Sequence, residues 1–402
     1  MEGQEKLDRG WAPALAWACY LGSSWTWVIG LFLPILLLRD FGLWGWVAFA
    51  APNVLGAALM GCLLTAPGSR RMATQHRDMC VRFSEVTIGL HAFVLGWLHA
   101  RMFGIPVVVL ALAAAWFVHA SARCRQKSLV VGVWVTFASL GLCAAGLVFG
   151  WSDAFTKELW QPGGQVRLGE FDLWMFALAA VVGFGLCPYL DLTFHRARSA
   201  TAPVAGRRAF ALGFGAVFLT MIVLSLAYAR MLMPLFEHDG DTIVIPPAWV
   251  AVLMVHLTMQ ASFTMGIHSR EVTARIGEGA WLRIAVIVVI GLLAAVMVER
   301  RADEIRDGLT YGEAAYRIFL LAYGLAFPGY VFLCMIPTWR GATSDRTNVI
   351  VWGISTLVAL PMAYMGFVLS MSIWIPGSLG VLCVGRVVLE VVGGRGRVTS
   401  NG

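Results

Sequence analysis

Charge is scarce in this chain. Asp, Glu, Lys and Arg make up only 13% of its 402 residues, about half the share of a typical soluble domain. Hydrophobic residues make up 59% and the mean hydropathy is +0.75. They fall in runs of about twenty, the length that crosses a bilayer as a helix. A soluble fold is therefore excluded, and an all-α polytopic membrane protein with the lipid bilayer as its partner is expected.

Other absences narrow the function. No C-x-x-C pair or metal-knuckle spacing relates the eight cysteines, so neither a metal centre nor a disulfide framework is expected. No clustered His motif, paired catalytic carboxylates or nucleophile elbow appears. An enzyme is not expected, and no cofactor is implied. The net charge of +7 sits in short loops between apolar runs, which argues against a nucleic-acid partner. The first apolar run lacks a small-residue cleavage site and is longer than a signal peptide's core, so it is expected to remain as an anchor. Nothing in the sequence fixes the oligomeric state.

The hydropathy predicts twelve spans, at about 11–38, 43–64, 83–101, 104–121, 129–150, 171–193, 209–232, 247–267, 281–298, 314–337, 348–369 and 374–391. Orientation follows the basic residues of short loops. With residues 1–10 inside, the cytoplasmic segments hold about two thirds of the thirty Lys and Arg residues, among them Arg70, Arg71, Arg77, Arg196, Arg198, Arg270 and Arg275. The acidic stretch Glu237-His238-Asp239-Gly240-Asp241 and the loop 299–313 then lie outside. Both termini are cytoplasmic in this reading, in a bacterial inner membrane. The tail 392–402 is expected to be disordered. The longest outside connection, Trp151 to Glu170, is read as a plain connector in preference to an interfacial helix or lid.

Two apolar spans are interrupted by small and polar residues. The first carries Leu21-Gly22-Ser23-Ser24-Trp25-Thr26-Trp27-Val28-Ile29-Gly30, and the sixth carries Gly183-Phe184-Gly185-Leu186-Cys187-Pro188-Tyr189-Leu190-Asp191. Irregular backbone inside a bilayer survives only where it is buried in protein or lines a polar cavity. A pair of such interruptions in corresponding places points to a transporter's binding site. For Gly22, Ser23 and Ser24 the competing reading is close helix packing through small residues. Pro188 removes an amide donor and clashes with the carbonyl four residues earlier. Asp191 either faces a cavity, as an intramembrane acid normally does, or pairs with Arg196 or Arg198 at the cytoplasmic end.

Intramembrane histidines add candidates. Ser84, Thr87 and His91 share a face of the third span, and His256, Gln260 and Thr264 repeat every four residues on the eighth, with Thr258 nearby. Such histidines either hydrogen-bond helices together, bind substrate or exchange protons. His99 and His119, near span ends, are weaker candidates, and Glu85 is set beside Arg82 for a local ion pair. Trp44, Trp46, Trp151 and Trp160 fit an interfacial belt, whereas Trp25 and Trp27 lie deeper.

At these residues a resemblance emerges. The run from Gly22 through Gly30, followed by Gly42-Leu43-Trp44-Gly45-Trp46 and Gly56, resembles the first two core helices of sodium/solute symporters. The stretch from Phe184 to Arg198 is similar to that family's broken sixth core helix, and Met254-Val255-His256-Leu257-Thr258-Met259-Gln260, with its exit at Glu271, to the eighth. The resemblance implies the five-plus-five inverted-repeat fold of the amino-acid/polyamine/cation transporters, with repeats at 11–150 and 171–337 inside a core at 11–337. Two peripheral helices would follow at 348–391. It also implies unwound first and sixth helices that embrace a substrate. Two departures stand out. The chain begins directly with the first core helix, and Val255-His256 lacks the hydroxyl pair that helps hold sodium in the family, leaving Thr258 as the nearest hydroxyl.

The expectation is a secondary transporter of a small polar or organic solute without the usual sodium site. The expected substrate contacts are Gly22, Ser23, Ser24, Trp25, His91, Gly183, Phe184, Gly185, Tyr189, His256 and Gln260. Proton or ion coupling would fall to Asp191, His256 or Thr258. The alternative is a non-transporting sensor or accessory protein on the same scaffold.

Overall fold

The computed structural model describes residues 10–26, 28–103, 125–149, 168–232, 247–301, 304–306, 309–339 and 343–400. Nearly all of them are helical. The first span is two helices, α1 (Trp11–Trp25) and α2 (Val28–Phe41), bent by 53° where they meet. Next come α3 (Leu43–Leu63), a short surface helix α4 (Ala66–Gln75), α5 (Arg77–Phe103) and α6 (Arg125–Phe149). The sixth span is α7 (Glu170–Leu186), which tightens into a 3₁₀ turn at Cys187–Leu190 before α8 (Leu192–Ala200) leads away. Helix α9 runs as Pro203–Leu212, a π turn at Gly213–Phe218, and Leu219–Leu232. Then follow α10 (Pro247–Ile276) and α11 (Ala280–Glu299). A two-residue hairpin, β1 (Ile305–Arg306) with β2 (Leu309–Thr310), leads into α12, which spans Tyr311–Met335 with two π turns. The last two are α13 (Asp345–Val368) and α14 (Trp374–Ser400).

Ten helices are long and apolar enough to cross a bilayer, and the bent pair α1–α2 makes an eleventh span if counted as one. The chain is an all-α polytopic membrane protein. Eleven of the twelve expected spans coincide with these elements; the fourth, 104–121, lies outside the described residues, as do His119 and most of the Trp151–Glu170 connection. The tail expected to be disordered from 392 instead continues α14 as far as Ser400.

Short-range chemistry sets the helix starts. Thr65 caps α4 by accepting the Gly68 amide, Thr310 caps α12 by accepting that of Glu313, and Ser344 caps α13 by accepting that of Thr347. Among the ten unbroken spans α5 and α10 are the most buried, whereas α11, α13 and α14 expose most of their apolar surface. The centre is built by α5 against α10 and α11, and by α10 against α6. Around it α1 packs on α6 and α9, α2 on α3 and α9, and α3 on α7. Gly56 makes the α3–α7 approach possible: a Cβ there would sit 2.3 Å from the Phe184 carbonyl oxygen.

Candidate functional site

Both expected interruptions exist, a turn later than the glycines suggest; the first bends its span by 53°, whereas the sixth falls at the end of a span that runs to Leu190. In the first span, Gly22, Ser23 and Ser24 are still helical and fully packed. The last helical bond runs from the Thr26 amide to the Gly22 carbonyl, which also accepts the Thr26 hydroxyl at 2.6 Å, and Thr26 itself leaves helical geometry. Gly22 itself is a packing residue, since a Cβ there would sit 2.4 Å from Val217 Cγ1. Small-residue packing, not unwinding, is what Gly22 supplies. Trp27, across the break, is outside the described residues.

In the sixth span α7 stays regular through Gly183, Phe184 and Gly185. The break falls at Cys187–Asp191, where Pro188 has no amide to donate and Asp191 adopts an extended conformation. Asp191 then caps α8: its Oδ1 accepts the Thr193 amide at 2.7 Å and the Thr193 hydroxyl at 2.6 Å. The anticipated ion pair of Asp191 with Arg196 or Arg198 does not form. Arg196 pairs with Glu271 at 3.1 Å, and Arg198 Nε donates to the Leu64 carbonyl at 2.6 Å.

The two breaks meet. Trp25 lies 4.8 Å from the Phe194 ring, centroid to centroid, and the hydroxyls of Ser24 and Thr193 are 3.4 Å apart. Trp25 Nε1 donates to Asn53 Oδ1 on α3. Ser23 Oγ lies 2.8 Å from Thr136 Oγ1 on α6, and the Thr264 hydroxyl on α10 donates to the Ser23 carbonyl at 3.3 Å. From α7, the Cys187 thiol points to the Tyr323 carbonyl at 3.4 Å, while the Tyr323 hydroxyl lies 2.9 Å from Thr87 Oγ1. Between these side chains is a cavity of about 10 Å³ lined by Trp25, Ile29, Gly30, Asn53, Phe184, Cys187 and Tyr323. That volume holds a single water at most. The centre is shut.

The expected residues therefore divide. Ser24, Trp25 and Phe184 stand at the junction, and Ser23 borders it. His91 is buried on α5 with Nδ1 2.7 Å from the Thr87 carbonyl oxygen. Gly183 packs on the Tyr323 carbonyl, and Gly185 faces open space. The Tyr189 carbonyl accepts from His195 Nε2 at 2.8 Å. His256, Gln260 and Thr258 lie elsewhere on α10: His256 beside Tyr228, Gln260 donating to Ser139 at 2.8 Å, and Thr258 3.3 Å from His99 Nε2.

One residue facing the sixth break was not among the candidates. His268 is fully buried, with Nε2 3.8 Å from Asp191 Oδ2 and Nδ1 3.0 Å from Ser84 Oγ. Its signal was in plain view, because 268 continues the four-residue spacing of 256, 260 and 264 along α10.

Each end of the bundle carries a seal. At the end of α2, Arg39 NH1 and NH2 donate to both oxygens of Glu313, at 2.9 and 2.7 Å, and its Nε to Asp40 at 2.9 Å. Arg317 closes the ring, donating to Glu313 at 2.8 Å and to Asp40 at 2.7 Å. All four residues are nearly or fully buried. At the opposite end α4 lies across α8, with Ser69 Oγ 2.8 Å from His195 Nδ1. There Arg283 and Arg82 both bond Glu85, at 2.9 and 3.2 Å, so the anticipated Arg82–Glu85 pair is part of a larger cluster.

No family model matches the chain, and no curated protein matches its sequence.

Proposed function

We propose that the protein is a secondary transporter of a small polar or organic solute, described here with both ends closed. The observation that carries this reading is the meeting of two broken spans, at Ser24–Trp25 and Thr193–Phe194, beside a small cavity in the interior of the bundle. Backbone irregularity at membrane depth is costly and recurs where substrate sites form. A five-plus-five inverted repeat is supported by matching helix partners. The second span packs on the sixth as the seventh packs on the first, and the fifth packs on the first as the tenth packs on the sixth.

With the termini in the cytoplasm, the Arg39–Asp40–Glu313–Arg317 ring closes the outer side and α4 covers the inner one. Separating α2 from α12 would open the outer path, and lifting α4 from α8 the inner path. A solute would enter by parting Trp25 from Phe194. The Thr264 hydroxyl, 3.3 Å from the Ser23 carbonyl and 3.1 Å from that of Gln260, ties α10 to α1. The reading without the usual sodium site rests on Val255-His256, which lacks the family's hydroxyl pair.

A second reading, a sensor or accessory protein on the same scaffold, is favoured by the small volume of the central cavity. Ligand-dependent thermal stabilisation across a solute panel, with and without sodium and at two pH values, separates the two. Transport predicts stabilisation by one solute class and its loss in Ser23→Leu, which buries a bulky apolar group against Thr136. No stabilisation by any solute, together with no uptake in vesicles, would leave the accessory reading.

A further inference from the structure

We propose that Asp191 and His268 form a proton-binding site that joins the broken sixth span to α10 and, through Ser84, to α5. The proposal deepens the transport reading, and rests on it only for what the proton drives.

The two oxygens of Asp191 differ. Oδ1 is saturated by the Thr193 amide and hydroxyl. Oδ2 has no hydrogen-bond partner among the described residues and is directed at His268 Nε2, 3.8 Å away. That gap is about 1 Å longer than a charge-assisted hydrogen bond. Both side chains are fully buried. An unmatched acceptor in such a place is destabilising, and more so when it is charged, so the cluster is costly unless a proton bridges it.

No cation among the described residues pairs with Asp191; Arg196, Arg270 and Arg275 all act on the neighbouring Glu271. From α10, Glu271 lies within electrostatic reach but is another acid, and Arg196 already occupies it. From α1, α5 and α12 come Tyr20, Cys80 and Tyr323, none of them a cation. His91 on α5 faces His268. Among the described residues no Arg or Lys comes within ion-pair distance of Asp191. One added proton, carried on Oδ2 and facing Nε2, makes the pair electrically neutral. Its loss leaves a lone carboxylate in a buried, closely packed centre, which the protein relieves by admitting water. Binding and release of that proton are thereby tied to closing and opening.

The position fits such a role. Asp191 caps α8, so its carboxylate sits at the break itself, where backbone can move without tearing a regular helix. His268 and Ser84 belong to the two most buried of the ten unbroken spans. A proton here links the part of the bundle that can bend to the part that cannot. His256 is twelve residues from His268 on the same helix, about 18 Å along its axis, and is outside the site.

The test is pH-difference infrared spectroscopy on the purified protein in nanodiscs, with no solute added. A protonated-carboxyl band is expected that is absent in Asp191→Asn. Its half-loss should shift by about tenfold in proton concentration in His268→Gln and stay fixed in His256→Gln. A band indifferent to His268→Gln overturns the site, and this comparison stands even if Asp191→Asn fails to fold. Proton-driven uptake by His268→Gln with wild-type pH dependence would overturn the site and spare the transport reading. A band that shifts as expected, in a protein that moves no solute, would support the site and remove that reading.

Discussion

The first and sixth spans both break, but the chain closes the two breaks differently. At the first, every polar group described is matched: Thr26 returns to Gly22, Ser24 Oγ to the Leu21 carbonyl, Ser23 to Thr136, and Trp25 to Asn53. Beyond it, α2 is clamped by the Arg39–Glu313 ring. At the sixth, one carboxylate oxygen is left over and faces an imidazole. A satisfied break is a hinge. A break with spare hydrogen-bonding capacity can also carry chemistry, since buried polar groups are almost always paired.

The comparison breaks most severely at the clamp. Glu313→Gln leaves Arg39 and Arg317 buried with Asp40 as their one acid, and breaking a buried pair costs about 3–5 kcal/mol. A large drop in thermal midpoint is expected, and an unchanged midpoint would show that α2 is held by packing alone. Next comes steric contrast. Gly56→Val drives a side chain into the Phe184 backbone and should cost about 1–3 kcal/mol or more. Gly185→Ala, with open space around it, should be neutral or stabilising by about 0.5–1 kcal/mol. Equal effects of the two in a denaturation series would mean that α3 and α7 do not approach as described.

Thr26→Val is a smaller probe. It removes the hydroxyl bond to Gly22 and should cost about 1 kcal/mol, read as a modest loss in the same series. The smallest effect concerns His76, which joins α4 to α5 and lies 3.1 Å from the Tyr330 hydroxyl. Burial holds its ring below the ordinary imidazole value, with Asp345 acting in the opposite sense. The unfolded chain therefore takes up the proton first as pH falls. Stability from this group is complete above about pH 6.5 and declines as pH drops towards the depressed folded value. Melting curves from pH 8 to 5 should flatten in His76→Gln; parallel curves would show that the ring is solvated.

Much of this architecture was legible in hydropathy. Runs of about twenty apolar residues set the spans, and Pro188 marked the second break because a missing amide has a local effect. The first break was displaced because Gly22 and Ser24 are ambiguous: small residues serve close packing as readily as unwinding, and Val217 decides between them only in three dimensions. The Arg39 ring was hidden for another reason. Arg39 and Glu313 are 274 positions apart; Arg39, Asp40 and Glu313 read as loop charges beside their spans, and Arg317 as a lone cation in the first turn of the expected tenth span. His268 was hidden only by attention, since it continues a spacing already in view.

The ring has an electrical consequence. Helix α2 contributes Arg39 and Asp40, and α12 contributes Glu313 and Arg317, so each half is neutral by itself. A membrane voltage does work of about 2.3 kcal/mol per elementary charge moved through 100 mV. Parting two neutral halves moves no net charge. In the proposed transport cycle that end should therefore open with the same ease in a polarised membrane as in an unpolarised vesicle, leaving any voltage dependence to the proposed proton at Asp191 or to the proposed solute.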